Sequence, residues 1–136
     1  MEENIWTHTF TGRPTSKGNS GRIVGWGGRT RLLPSAAAVR AQASLRAQAE
    51  LAWIGEPLAC AVSATIVFVF AIPKSGANKN RKFGEPCMLK ADSGNLLKCL
   101  EDSLKGVVYL DDSQVVEHHM KKKWGVEDGI VVVLEW

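Results

Sequence analysis

The longest apolar stretch of the sequence runs from residue 58 to residue 72, with the sequence LACAVSATIVFVFAI. Its second half is rich in β-branched and aromatic side chains, which predicts a long and mostly buried strand. Ser63 and Thr65 interrupt the stretch, and it is shorter than the roughly 20 residues that a bilayer-spanning helix needs. We therefore expect no membrane partner. The 136 residues are enough for one core, so a single domain over residues 1–136 is predicted.

The chain before this strand divides into three parts. Residues 4–11 alternate apolar and polar side chains, as a strand does. Residues 12–31 are rich in glycine, arginine and serine, which predicts a loop with short strands near residues 22–24 and 30–33. Ser35 is a good N-cap for a helix over the alanine-rich segment that follows it, and this helix should stop before Gly55 and Pro57.

The second half predicts one more helix and several strands. Residues 73–91 form a basic loop, and residues 93–105 place leucines at helical spacing on one side. Strands are predicted at residues 107–110, 115–124 and 129–136, with a turn at Asp111, Asp112 and Ser113. The order of elements predicts an α+β (mixed α/β) fold with one mixed sheet and two main helices.

The cysteines and the N-terminus indicate a reducing compartment. Cys60, Cys87 and Cys99 form neither a CxxC pair nor a zinc pattern, so we interpret them as reduced, structural thiols. The first residues are acidic and lack the apolar segment of a secretory signal. A cytoplasmic protein is therefore expected.

The net charge of +3 hides a strong segregation of charge along the chain. Residues 11–50 hold seven basic side chains and one acid, and residues 74–90 hold five basic side chains and one acid. Residues 92–117 reverse the sign, with six acids and two lysines. An acidic centre flanked by basic loops suits phosphodiester cleavage, since carboxylates hold divalent metal ions and cations hold the polyanion. Simple solvation remains the alternative for each segment.

The acidic centre contains the most specific motif of the sequence. It closely resembles the signature of the RusA-like Holliday-junction resolvases, which is Asp-x-Asp-Asn-x-x-Lys-x-x-x-Asp-x-Leu followed after a short gap by Asp-Asp-x-Gln-Val/Ile. Nine positions fit with the right spacing: Asp92, Asn95, Lys98, Asp102, Leu104, Asp111, Asp112, Gln114 and Val115. Residues 12–17 also resemble the family's Gly-x-Pro-x-x-Lys segment, so the resemblance spans nearly the whole chain.

The resemblance implies a magnesium-dependent endodeoxyribonuclease that resolves four-way DNA junctions in recombination and repair, of a kind often carried by prophages. It assigns metal binding to Asp92 and Asp112, with Asp111 beside them, and gives Lys98 a role at the phosphate or the attacking water. Asp92, Lys98 and Asp112 are thus the expected catalytic residues, with Mg²⁺ as cofactor and Mn²⁺ as a substitute. We expect Asp92 and Asp112 to converge on one ion.

One position departs from the family pattern. Gly94 occupies the place of the second aspartate of Asp-x-Asp. In extended chain the residues at i and i+2 point to the same side, so this sequence keeps one carboxylate of a pair. We expect weak or absent cleavage with junction binding retained. Glu101 and Asp102 are the candidates to replace the missing carboxylate, although Asp102 better suits a role in bracing the local structure.

The expected partners are branched DNA and a second copy of the chain. Two symmetric nicks from a small chain with one site imply a homodimer. No nucleotide cofactor is expected, because the Gly12–Lys17 segment lacks the Gly-Lys-Ser/Thr of a phosphate loop. The residues expected to bind DNA are basic and lie in the two basic segments: Arg13, Lys17, Arg22, Arg29, Arg31, Lys79, Arg81 and Lys82.

Two other functions remain open from the sequence. One is a catalytically inactive protein that binds DNA junctions, and the other is a structural or assembly protein that retains the fold. His118 and His119 are adjacent on a predicted strand and point to opposite faces, so they are interpreted as ordinary strand residues and not as a metal pair.

Overall fold

A computed structural model of the chain describes residues 4–17, 22–33 and 35–136. Its main sheet has four strands in the order β1-β6-β4-β5. The strands are β1 (Ile5–Thr11), β4 (Val62–Ala71), β5 (Val115–Gly125) and β6 (Gly129–Glu135). β6 is antiparallel to both of its neighbours, whereas β4 and β5 are parallel, so the sheet is mixed.

Two helices lie on one face of this sheet, α1 (Ala36–Ala52) and α2 (Ser93–Leu104). The Ser35 side chain accepts from the Ala38 N–H and caps α1, as predicted. Both helices contribute apolar residues to the core that also contains the inward face of β4 and β6. The largest of these inward side chains are Phe68, Phe70, Leu100, Leu104 and Leu134, all almost fully buried.

A second sheet is a hairpin of β2 (Arg22–Trp26) and β3 (Arg29–Leu33). Its turn is Gly27-Gly28, and both glycines have positive φ, of 53° and 77°. This combination is typical of a two-residue type I′ turn, which glycine adopts without strain. The two short strands that the sequence predicted in this loop are therefore paired with each other.

The α+β prediction is confirmed, with one element wrong. Residues 107–110 are not a strand, because the N–H groups of Val107 and Val108 both donate to the carbonyl of Leu104 at the end of α2. The chain thus turns back over the helix end and makes only isolated bridges, such as that between Tyr109 and Leu58. β4 also begins at Val62 and not at residue 58, since residues 58–60 are held by this turn and by Gln114.

Candidate functional site: the polar face of the second helix

Asp92 lies at the N-terminus of α2 and caps it. Its Oδ1 accepts the Gly94 N–H at 2.7 Å, and its own backbone is extended with φ −67° and ψ 128°. Residue 94 already lies inside the helix, so the extended geometry expected for the Asp-x-Asp pair is wrong. The two positions are nevertheless adjacent, because a Cβ added at Gly94 would lie 3.1 Å from Asp92 Oδ1.

The polar residues of the motif continue along one side of α2. Helical spacing groups three polar residues of the motif with Gly94 and Glu101, opposite the buried leucines, and we name these five the α2 stripe: Gly94, Asn95, Lys98, Glu101 and Asp102. Lys98 is exposed in the middle of the stripe, one helical turn after Gly94. The lysine is therefore placed to reach a ligand at the helix N-terminus.

Lys17 is bound to the stripe. Its backbone N–H donates to the Asn95 carbonyl, and its ammonium forms an ion pair with Asp102. This contact joins residues that are 85 positions apart in the sequence. Asp102 therefore braces the N-terminal segment against α2, and its carboxylate is already occupied by a cation.

A second lysine holds the segment that leads into the site. Lys122 on β5 donates from its ammonium to the carbonyls of Leu89 and Ala91, each at 2.7 Å. These carbonyls come directly before Asp92, so Lys122 positions the entry to α2. None of the motifs in the sequence pointed to this role for Lys122. Strand alternation could have singled out Lys122, since it points away from the side that carries its two neighbours.

Asp111 and Gln114 are structural. Asp111 caps a short 3₁₀ helix (Asp112–Gln114) in a reciprocal capping box with Gln114. Its carboxylate also bonds the Ser113 hydroxyl and lies 2.9 Å from Lys105 Nζ. These contacts, the Ser113 hydrogen bond first, hold the pKa of Asp111 at about 2. Its oxygens are thus committed to the turn.

Asp92 and Asp112 are separated in the sequence by α2 and the turn that follows it. The helix has 12 residues, which corresponds to about 18 Å at about 1.5 Å per residue. Asp112 follows Asp111, which is bound to Lys105 directly after the helix, whereas Asp92 precedes the first turn. The charge of Asp112 also acts on Glu101, nine residues along the chain from Asp92, and convergence of Asp92 and Asp112 on one ion stays a prediction.

The donor set of one chain does not fit a complete metal centre. Across residues 4–17, 22–33 and 35–136, no three histidine, cysteine or acidic side chains are grouped to hold an ion. Asp92 stands beside Gly94, Asp102 is paired with Lys17, and Asp111 is paired with Lys105. Of these acids, Asp92 keeps a carboxylate oxygen that is not bonded to a described residue.

Glu101 is the most enclosed acid of the stripe. Its side chain is 13% exposed, and its Oε1 lies 2.6 Å from His118 Nε2 on β5. Burial raises the pKa of Glu101, the His118 hydrogen bond opposes the shift, and the charges of Asp112 and Asp102 add to it. The sequence interpretation of the two histidines agrees with the structure, since His119 bonds a different acid, Glu117.

This environment predicts a pH dependence of stability. A carboxyl whose pKa is raised by folding binds its proton more tightly in the folded state, so stability falls as pH rises above the unfolded value of 4.5. In Glu101→Gln, thermal unfolding should show a smaller loss of stability between pH 4 and pH 6 than in the wild type. The pKa of Glu117 is lowered, chiefly by its hydrogen bond to His119, so Glu117→Gln should change the slope in the opposite direction. Equal slopes in both variants would contradict the assignment.

The expected DNA-binding residues divide into three groups. Lys79, Arg81 and Lys82 line an open cavity of about 530 Å³ beside the exposed Phe83. Arg13 lies over the Phe70 ring, and Lys17 is paired on the stripe. Arg22, Arg29 and Arg31 belong to the β2–β3 hairpin, but their side chains lie outside the described part of the structure.

The cysteines are free, and two of them are buried. Cys87 and Cys99 pack in the interior, whereas Cys60 is exposed, so a structural role fits only the first two. Burial raises the pKa of the Cys99 thiol. In the described part of the chain, no helix combines the length and apolarity needed to cross a bilayer.

Clustered basic side chains are the electrostatic feature by which proteins bind the phosphates of nucleic acid. The family model for the endodeoxyribonuclease RusA matches residues 11–135 of the 136. The chain belongs to the RusA endodeoxyribonuclease family, as the signature at residues 92–115 predicted. No curated protein matches the sequence.

Proposed function

We propose that the chain binds four-way DNA junctions as a homodimer in the cytoplasm and cleaves them weakly. The observation that carries this proposal is the α2 stripe, which keeps the family's lysine at position 98 and has glycine at position 94. Membership of the RusA family supports the substrate, and the basic segments around the stripe support binding to a polyanion.

The residues that we propose to act on DNA have exposed side chains that are not fully used in hydrogen bonds or ion pairs with other described residues. Lys98 and Asp112 are both exposed, and no hydrogen bond or ion pair joins either side chain to another described residue. One carboxylate oxygen of Asp92 accepts the Gly94 N–H, and the Asp92 side chain is also exposed. We assign Lys98 to the phosphate that is cut, and Asp92 to the divalent cation, Mg²⁺ or Mn²⁺, that would supply charge neutralisation there.

The dimer follows from the reaction and not from a contact in the structure. Resolution needs two symmetric nicks, so each copy of the chain would serve one strand. Sedimentation at micromolar concentration should give a species of about twice the chain mass of 14.8 kDa. A monomer in the presence of a bound junction would contradict this part of the proposal.

A fluorescence-anisotropy titration tests binding. The chain should bind a synthetic four-way junction more tightly than a linear duplex of the same length, and the affinity should fall steeply with salt because phosphate contacts release counterions. Equal affinity for both DNAs would contradict junction selectivity. Salt-insensitive or absent binding would favour an assembly protein that retains the fold.

A metal titration separates weak cleavage from none. We expect slow nicking of the junction at millimolar Mg²⁺ or Mn²⁺. Tight binding with no nicking at any concentration of either ion would select the second candidate, an inactive junction-binding protein, which the missing carboxylate at Gly94 favours. Rapid nicking by the unaltered chain would overturn the proposal that cleavage is impaired.

A further inference from the structure

A cavity of about 320 Å³ lies between the end of β1 and one side of α1. One wall is the segment Thr11–Thr15, and the other is built from Ala37, Arg40, Ala41, Ser44 and Leu45. Among the described residues no acidic side chain lines it, and the first turn of α1 has none either. Because Ala37 and Ala41 are small, the helix leaves room here for a ligand in front of Arg40.

Two arginines, Arg13 and Arg40, are among the described residues that line this cavity. The Arg13 guanidinium carbon lies 5.3 Å from the centre of the Phe70 ring, and its Nη1 lies 3.7 Å from Asp128 Oδ1. The distance to Asp128 is too long for a hydrogen bond, so the N–H groups of Arg13 remain available. Arg40 is exposed, and no described residue forms a hydrogen bond or an ion pair with it.

The walls of the cavity are held in place by Gln48. Its amide bonds the backbone N–H and carbonyl of Thr11 at 2.8 and 3.1 Å, which ties the end of β1 to α1. Gly12 follows with φ 108°, in the left-handed region that favours glycine, so the chain can turn there and bring Arg13 to the cavity. The site is therefore built before any ligand arrives.

The hydroxyl groups that line the cavity indicate which hydrogen-bond donors a ligand would find there. Thr11 and Thr15 already donate, to Gln48 Oε1 and to the Arg13 carbonyl respectively. Ser44 Oγ accepts from Gln48 Nε2 at 3.1 Å and donates to no described residue, so its hydrogen can point to a ligand. The cavity thus offers two guanidinium forks and one O–H donor with no carboxylate, which matches the oxygens of a phosphate group.

We infer that this cavity binds a phosphate group, through Arg40 and Arg13 with Ser44 as a hydrogen-bond donor. The phosphate can come from the DNA backbone or from a free phosphate. Binding of a DNA backbone phosphate rests on the proposed function. It would place a DNA contact beside the segment that leads to Lys17, which is bound to the α2 stripe. The second source does not require DNA binding at all.

The test uses Arg40→Gln in the full chain, with Arg46→Gln as the matched control. Arg46 lies on the same helix and carries the same charge, but it is bound to the Lys105 carbonyl and to Glu50 outside the cavity. Inorganic phosphate is titrated while the arginine Nε–H resonances are followed by NMR. Junction affinity is measured by anisotropy over a range of salt concentrations.

With inorganic phosphate, the Nε–H resonances of Arg13 and Arg40 should shift together in the wild type and in Arg46→Gln, and the Arg13 shift should largely vanish in Arg40→Gln. With the junction, Arg40→Gln should weaken binding several-fold and lower the salt slope by about 0.9, the loss of one phosphate contact. Arg46→Gln should leave the slope unchanged.

The outcomes distinguish a DNA backbone phosphate from a free phosphate, and they distinguish failure of the phosphate site from failure of the proposed function. Loss of both phosphate and junction binding in Arg40→Gln supports a backbone phosphate, and loss of phosphate binding alone supports a free one. If phosphate shifts neither arginine and the salt slope is unchanged in Arg40→Gln, the site is overturned while junction binding stands. If the wild type binds phosphate but no junction, the proposed function fails and the site stands.

Discussion

Gly94→Asp is expected to increase magnesium-dependent nicking of a four-way junction by roughly tenfold to a hundredfold or more. Loss of groups that merely support metal ligands already reduces activity by roughly this factor, so gain of a direct ligand should have at least the same effect. The substitution would put two carboxylates at the N-terminus of α2, and Mg²⁺ is commonly held by one or two carboxylates together with substrate phosphates.

The local structure should accept the new side chain. Its Cβ would lie 3.1 Å from Asp92 Oδ1, and this exposed side chain has to shift only by a few tenths of an ångström, which leaves room to keep its bond to the N–H of residue 94. Residue 94 is in the first turn of the helix, where no acid is present and where a negative charge interacts favourably with the helix dipole. Folding should therefore be preserved, as thermal unfolding would verify.

Gly94→Asn is the matched control, since it adds the same bulk without the charge. It should leave nicking at the level of the unaltered chain. Mn²⁺ binding, followed by electron paramagnetic resonance, gives a readout that is independent of cleavage and should strengthen only in Gly94→Asp. Equal nicking in the aspartate and asparagine variants would refute the idea that a missing carboxylate limits this chain.

Gln114→Ala is expected to lower the free energy of unfolding by about 2 to 3 kcal/mol, since it removes three hydrogen bonds to backbone groups. Its Nε2 donates to the Leu58 and Cys60 carbonyls at 2.7 and 3.0 Å, and its Oε1 accepts the Asp111 N–H at 2.8 Å. These bonds hold the turn after α2 against the chain entering β4. Urea denaturation would measure the loss.

Asp112→Asn provides the contrast within the same turn. Its side chain is exposed and has no bonding partner among the described residues, so stability should hardly change. Junction cleavage, by contrast, should fall if Asp112 acts on DNA. If Asp112→Asn destabilised the protein as much as Gln114→Ala does, the division of this motif into a structural part and a chemical part would be wrong.

The parts of the fold that depend on local sequence were predictable. Ser35 and Asp92 cap their helices through contacts within three residues, and the leucine spacing defined α2. Long-range contacts were not predictable: nothing near Lys17 in the sequence indicates that it will meet Asp102. Convergence of Asp92 and Asp112 on one ion likewise depends on the length and direction of α2 between them, and it stays a prediction.

The position of β6 has a consequence for how the protein is made. β6 is the last strand along the chain, yet it lies between β1 and β4, and Ile5 pairs with Glu135. The first strand therefore has no partner in the sheet until residue 135 has left the ribosome. Pairing of β1 and β4 with β6 has to wait until β6 is synthesised, and pairings of such long sequence separation fold slowly. Until β6 arrives, the edge of β4 that will pair with it stays open to other chains or to chaperones.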